Sequence, residues 1–168
     1  LQLHPRKNLF QFLARTAVGQ QLSNIAAETI WGRIENLCRG LKINVNNLFM
    51  PVNLDSICKA GLSKNKATSL IDLQQMFDKK LILDDSLDQA DYDDIKKTIT
   101  SLKGFGPWSA DMCAIFFCGI PDVYPSGDAA INRGAHGICK NQISVEELFT
   151  HFSPYRSYLS RHIWLGLD

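Results

Sequence analysis

An all-α fold is the prediction for this chain of 168 residues, and three features carry it. Apolar residues recur at steps of three and four, the period of a helix with one buried face. No stretch of convincing length alternates apolar and polar residues as a half-buried strand would. Ser, Asp, Gly and Pro stand where the periodic runs begin and end, as helix caps do. No internal repeat or low-complexity tract interrupts the pattern.

Taken in order, Leu9, Phe10, Leu13 and Ala17 mark a first helix that ends near Gly19. The loop Gly19-Gln20-Gln21-Leu22-Ser23 follows. Ser23 is placed to cap a second helix with its apolar face on Ala26, Ile30, Ile34 and Leu37. Residues 40–56 read as loop, because Asn44, Asn46, Asn47, Pro51 and Asn53 break the period. Asp55 is expected to cap a short helix reaching Ala60. Gly61-Leu62-Ser63 reads as a break and a new cap. The helix after it, Lys64 to about Lys79, presents Ala67, Leu70, Ile71, Leu73, Gln74 and Phe77.

Ile95, Ile99 and Leu102 form the next run, closed by the tight turn Gly104-Phe105-Gly106. Pro107 suits the first position of a new helix: its φ is already helical and its missing N–H would be an orphan there. Met112, Ile115 and Phe116 continue that helix. Residues 123–127 are an extended link, and Asp128 opens a helix through Ala129, Ala130, Ile131 and Gly134. Ser153 and Pro154 are expected as the cap and first residue of a terminal helix, with Tyr155, Leu159 and His162 on one face.

A composition of 45% hydrophobic and 21% charged residues describes an ordinary globule, one domain or two small lobes sharing a core. No apolar run approaches a membrane span, and no signal peptide is visible in a chain that begins at Leu1. Cys38, Cys58, Cys113, Cys118 and Cys139 form no Cys-x-x-Cys pair and lie among apolar residues. They read as reduced core thiols, so an intracellular setting is expected, cytoplasm and nucleoid or nucleus. The net charge of +1 hides an asymmetry: residues 1–83 carry 11 Lys/Arg against 5 Asp/Glu, and residues 84–100 carry 2 against 6. A basic half facing phosphates is one reading; ordinary solvated charge is the other.

The glycine turn, two tryptophans and one aspartate carry chemistry in their residue types. Amides exposed by a glycine turn at a helix start favour an anion, although a glycine-capped αα-turn has the same spacing. Trp108 and Trp164 are large aromatic faces, suited to a cationic ring or to the core. Asp128 reads first as an N-cap, and a carboxylate fixed beside a loop is compatible with that.

The run Leu102-Lys103-Gly104-Phe105-Gly106-Pro107-Trp108-Ser109-Ala110, with Asp128 beyond it and the tail Ser153–Trp164, closely resembles the helix-hairpin-helix (HhH-GPD) DNA glycosylase superfamily, in its 3-methyladenine DNA glycosylase II branch. The resemblance spans nearly the whole chain, and the hairpin, Asp128 and the tail are its specific parts. It implies a two-lobed helical fold, residues 24–118 in a central lobe and residues 1–23 with 119–168 in a second, the cleft between them taking a flipped base.

The resemblance also implies roles. The hairpin (Leu102, Gly104, Phe105, Gly106) grips the DNA backbone, and Asp128 serves the chemistry. Trp108, Trp164 and Met112 line the base pocket. Gln21 fills the gap left by the flipped nucleotide, where several relatives use an apolar wedge, and Ser23 is a second minor-groove candidate. Lys64 and Lys66, in the Gly-Leu-Ser-Lys-x-Lys-Ala pattern, are phosphate candidates or plain solvated lysines. Relatives that also cut the backbone carry a Schiff-base lysine where Trp108 stands, so a monofunctional enzyme is implied.

The partner implied is duplex DNA with damaged bases, the substrate class 3-methyladenine and 7-methylguanine, and the state a monomer. No second carboxylate stands out in a matching motif. The four-cysteine iron–sulfur loop of some relatives is missing, so no cluster and no catalytic metal are expected. The residues leave open whether a monovalent cation sits at the hairpin, as the fold often allows. A glycosylase for oxidised or deaminated purines, or a hairpin module that binds DNA without catalysis, would keep much of the same pattern.

Overall fold

Helix α1 (Leu9–Gly19) is buried along most of its length, and aromatic residues fix its depth. Phe10 lies between Phe49 and Phe77, with ring centroids 5.8 and 5.5 Å away. Phe12 tilts against Phe117 at 5.6 Å. Such pairs add about 0.5–1.5 kcal/mol each beyond the area they bury. The computed structural model describes residues 8–140 and 142–167.

Side-chain oxygens hold the starts of α1 and α5. Asn8 Oδ1 accepts the Gln11 N–H and Asp84 Oδ1 accepts the Leu9 N–H, both at 2.7 Å. Asp91 caps α5 (Tyr92–Thr100) through the Asp94 N–H at 2.9 Å, with Asp93 and Asp94 in its first turn. Negative charge at a helix N-terminus is favoured by the aligned peptide dipoles. The acidic stretch therefore has a local structural use at two helix starts.

The serine caps lie where the sequence puts them. Ser23 Oγ accepts the Ala26 N–H at the start of α2 (Asn24–Leu41), and Ser63 Oγ accepts the Lys66 N–H at the start of α4 (Lys64–Asp78). The buried stripe of α2 is Trp31, Ile34 and Cys38, a quarter-turn from the expected one, and Ala26 is only half-buried. Residues 40–56 are not all loop: α2 runs to Leu41, and two 3₁₀ turns lead into α3 (Leu54–Lys59). Asp55 does not cap α3 but lies inside its first turn.

After α5 and the hairpin, α6 (Pro107–Met112) continues without a break into a π-helical segment, Cys113–Cys118, which Gly119 ends at φ 74°. Helices α7 (Ala129–Cys139), α8 (Val145–His151) and α9 (Arg156–Leu165) complete the chain. Among the described residues there is no strand, and no helix is long and apolar enough to cross a membrane. All five cysteines are free thiols.

Buried residues form two clusters. The larger runs from Leu9 to Val123, and the smaller joins α7, α8 and α9 around Ile131, Phe149 and Ile163. Helix α1, which the resemblance groups with residues 119–168, lies in the larger cluster, where its aromatic residues mate with Phe49, Phe77 and Phe117. The link 119–128 passes from one cluster to the other within two residues: Val123 is buried in the first, while Tyr124 stacks on Phe149 at 4.0 Å in the second. Trp164 packs against both.

The terminal helix starts later than Ser153-Pro154 predicts. Its cap arrives from elsewhere: Asp122, in the link, accepts the Arg156 N–H (3.2 Å) and Nε (2.6 Å) on Oδ1, and Nη2 (2.9 Å) and the Ser153 hydroxyl (3.0 Å) on Oδ2. Buried Ser157 adds to this clasp. Its Oγ donates to Ile120 O at 2.7 Å and accepts the Val123 N–H at 3.0 Å. The face turned inward is Leu159, Ser160 and Ile163, whereas Tyr155 and His162 are exposed, contrary to the expected face.

Arg156 holds the Asp122 carboxyl below its ordinary value, chiefly through their side-chain hydrogen bond. A carboxyl with a depressed folded-state pKa stabilises the fold fully above its unfolded pKa, near pH 4, and loses that contribution as pH falls through the lower folded value. Asp122→Asn is therefore expected to lower stability at pH 7 by about 1 kcal/mol, a figure reduced by the pair's partial exposure. The gap between variant and native protein should narrow below about pH 4. Urea unfolding at pH 7 and pH 3 checks this, and an equal gap at both would contradict it.

Candidate active site

Asp128 opens α7 as its N-cap, and the demands of that position place the carboxylate. Oδ1 accepts the Ile131 N–H at 2.8 Å, as a capping side chain does. The two indoles approach the same group: Trp108 Nε1 donates to Oδ2 at 2.7 Å and Trp164 Nε1 to Oδ1 at 3.3 Å. The residue is 8% exposed. A carboxylate is acceptor-only, with about four lone-pair sites, so these donors fix its orientation without exhausting it. The cap and the site reading of Asp128 are thus compatible in one geometry.

These residues line a cavity of about 680 Å³, within the range of small-molecule pockets. One wall comes from α1 and the start of α2, including Phe12, Arg15, Leu22, Ser23 and Glu28. The other comes from Trp108, Met112, Phe116, Asp128, Arg133 and Trp164. Trp108, Met112 and Phe116 follow each other at steps of four. Four residues slightly overshoot an α-turn and fall short of the wider π-turn, so the π segment keeps Phe116 on the same wall. Phe116 meets Trp164 at 5.5 Å, and the Arg161 guanidinium lies 5.7 Å from its ring centroid.

Phe116, Arg15, Glu28 and Arg133 escape the sequence reading as cavity residues. The step of four from Trp108 and Met112 is the signal that finds Phe116. Nothing local marks Glu28, a second carboxylate on the cavity wall. It is paired with Arg15 at 2.6 Å on the exposed side.

The other candidates are placed differently. Gln21 is exposed with φ at 59°, an uncommon conformation for a residue other than glycine. It is apart from the large cavity and lines a smaller one, of about 390 Å³, with Gly104, Gly106 and Trp108. Ser23 reaches the large cavity while capping α2. Lys64 is exposed. Lys66 departs from the expected solvated phosphate contact: its ammonium donates to Val18 O at 3.1 Å and Gln20 O at 2.7 Å, closing the end of α1. Burial lowers its pKa.

In the hairpin, the Leu102 and Phe105 side chains are core, 4% and 5% exposed, and the Phe105 N–H is already bonded to Leu102 O at 3.1 Å. The backbone groups of this turn face a ligand beside the exposed Lys103, which is paired with Asp72 at 2.7 Å, and the early N–H groups of α6, at Trp108 and Ser109, have no partner within the helix. For a monovalent cation, the Leu102 and Gly104 carbonyls each accept one N–H and keep a second lone pair. Among the described residues, no group of three or more His, Cys, Asp or Glu is placed to hold a metal ion.

No family model matches the chain. It is 36% identical over 135 residues to a DNA-3-methyladenine glycosylase of Saccharomyces cerevisiae, covering 76% of this chain and 46% of that protein. It is 27% identical over 169 residues to a probable bifunctional transcriptional activator/DNA repair enzyme AlkA of Mycobacterium tuberculosis, covering 94% and 33%. The chain thus spans less than half the length of these curated relatives. Among solved structures, a DNA-3-methyladenine glycosidase from Bacillus halodurans superimposes with a TM-score of 0.78 at 29% identity, over 99% of this chain and 78% of that one. The 3-methyladenine DNA glycosylase of Schizosaccharomyces pombe, in complex with abasic DNA, shares the fold at a TM-score of 0.81 and 20% identity, over 98% and 85%.

Proposed function

From membership of the helix-hairpin-helix DNA glycosylase superfamily, to which this chain belongs, we propose that it hydrolyses the N-glycosidic bond of alkylated bases in duplex DNA. The observation that carries this reading is the Asp128 carboxylate held by both indoles at the wall of one cavity. The substrates are bases of the 3-methyladenine and 7-methylguanine type. Their positive charge makes them good leaving groups, and it draws them to the electron-rich faces of Trp108 and Trp164.

The target nucleotide leaves the stack at a cost of a few kcal/mol, least where pairing is already weakened, which is one source of selectivity. Gln21 occupies the vacated space, and backbone amides at the hairpin grip phosphate. Departure of the base builds positive charge on the sugar, and Asp128 opposes that charge or deprotonates the attacking water. Because the carboxylate is already oriented by Ile131 N–H and the indoles, little reorganisation is needed as the charge develops. Trp108 stands where a Schiff-base lysine would be needed, so the product is an intact strand with an abasic site.

The test is base release from methylated duplex DNA. Free 3-methyladenine and 7-methylguanine are expected, with the strand uncut until hot alkali is added. No release would overturn the proposal, and direct nicking would overturn its monofunctional part.

A further inference from the structure

The loop bearing Gln21 and the hairpin belong to different helical connections, yet one side chain joins them across 84 and 89 residues of sequence. Gln20 Nε2 donates one hydrogen to Gly104 O and the other to Ser109 Oγ, each at 3.0 Å. Both donors of the amide are thereby spent on the hairpin, one before the Gly106-Pro107 step and one after it. Ser109 is 1% exposed, so the anchor lies in the packed interior.

The backbone of Gln20 is held as well. Its N–H bonds Thr16 O at 3.1 Å and its carbonyl accepts Lys66 Nζ at 2.7 Å. The next residue, Gln21, is exposed and held at φ 59°. A residue in that conformation persists where its surroundings over-determine it, and strain of this kind gathers at functional positions. Here the surroundings are the Lys66 clamp on one side and the Gln20 amide on the other.

We infer that Gln20 is a positioning residue that ties the wedge loop to the hairpin, so that a phosphate seated at the hairpin brings Gln21 onto the base stack at the nucleotide to be flipped. The inference rests on the proposed glycosylase reading. It assigns Gln20 no contact with base or sugar; it acts through Gln21. Lys66 supports the same strut, which explains why its ammonium points inward in place of reaching phosphate.

The consequence is selective. Losing the strut should leave the hairpin grip intact and impair only the step that inserts Gln21. The experiment compares single-turnover release of 7-methylguanine from two duplexes at saturating protein. In one the lesion faces cytosine. In the other it faces a tetrahydrofuran abasic analogue, where there is no pair to open.

Gln20→Ala is expected to slow release opposite cytosine by roughly tenfold, the weight of two neutral hydrogen bonds. Opposite tetrahydrofuran the loss should be about threefold or less, and affinity for undamaged duplex should stay within about twofold. Gln21→Ala should show the same difference between the two duplexes in single-turnover release, and the double variant should be no slower than the slower single one, since both remove one function. Lys66→Met, which keeps the stem and deletes the donors, provides an independent second variant with the same expected profile.

Equal losses on both duplexes, additive losses in the double variant, or full activity of Gln20→Ala would overturn the inference while leaving the glycosylase reading standing. No release by the native protein would overturn both.

Discussion

Asp128→Asn should slow release of methylated bases by about 10²–10⁴-fold, while leaving the protein folded and able to bind duplex DNA. The reasoning separates two uses of one side chain. Asn is as good an N-cap as Asp, so the Ile131 N–H keeps an acceptor and α7 keeps its start. What disappears is the negative charge. In addition, one carboxylate oxygen becomes an amide that donates, and it then faces an indole N–H that also donates. That mismatch costs about 1–3 kcal/mol, a fraction of a typical total stability.

Asp128→Ala makes the contrast. It deletes charge and cap together and should lose about 1 kcal/mol more from the helix start. Single-turnover base release and urea unfolding, measured on both variants, check the prediction. If Asp128→Asn released base at the native rate, the carboxylate would be a cap and nothing more, and the glycosylase mechanism would need another residue.

The placement of that carboxylate depends on more than α7. The link that delivers Asp128 is fastened to the start of α9 by Asp122, Arg156 and Ser157, and α9 delivers Trp164. The clasp sets one end of the separation between two groups whose side chains meet at 3.3 Å. Small errors in such a distance are costly to a catalytic group, which is a physical reason for a bidentate pair to stand outside the cavity itself.

What the sequence made legible follows from the range of the interactions concerned. Ser23, Ser63 and Asp128 are identifiable as caps because a cap bonds an N–H three residues away, a purely local signal. The hairpin and its proline are local in the same sense. Tertiary features were hidden. Asp122 caps α9 from 34 residues upstream, which no local signal at Ser153-Pro154 shows. Lys66 looked solvated, because the carbonyls it binds end a helix 46 and 48 residues before it. The π segment is invisible to a 3.6-residue period, although the step of four from Trp108 and Met112 does reach Phe116 on the cavity wall. The packing of helix α1 is likewise decided by distant aromatic partners, which no local period marks.

The two hairpin glycines, equivalent in the motif, are expected to respond to substitution very differently. Gly104 has φ +87°, a conformation a side chain disfavours by about 1–2 kcal/mol. A Cβ there would also lie 2.6 Å from Ser69 Oγ and 2.9 Å from Ser69 Cβ. Ser69 is buried in α4, so its Cβ moves only if the helix moves, and overpacking of this kind costs about 1–3 kcal/mol. Gly104→Ala should therefore lose about 2–5 kcal/mol, or roughly 5–15 °C in melting temperature for a chain of this size. Gly106 has φ −111° and nothing within 4 Å of its Cβ position, so Gly106→Ala should cost about 1 kcal/mol or less, the difference between glycine and alanine as a cap. Adding Ser69→Gly to Gly104→Ala should recover the crowding but not the backbone cost, appearing as a favourable coupling of about 1–3 kcal/mol in a double-mutant cycle. Equal losses at the two glycines, or no coupling with Ser69, would show that close approach of α4 does not fix the hairpin's shape. The tight contact matters for the site because the Gly104 carbonyl is where Gln20 is tied. A hairpin pushed off Ser69 carries the strut, and with it the position of Gln21, away from the cavity between them.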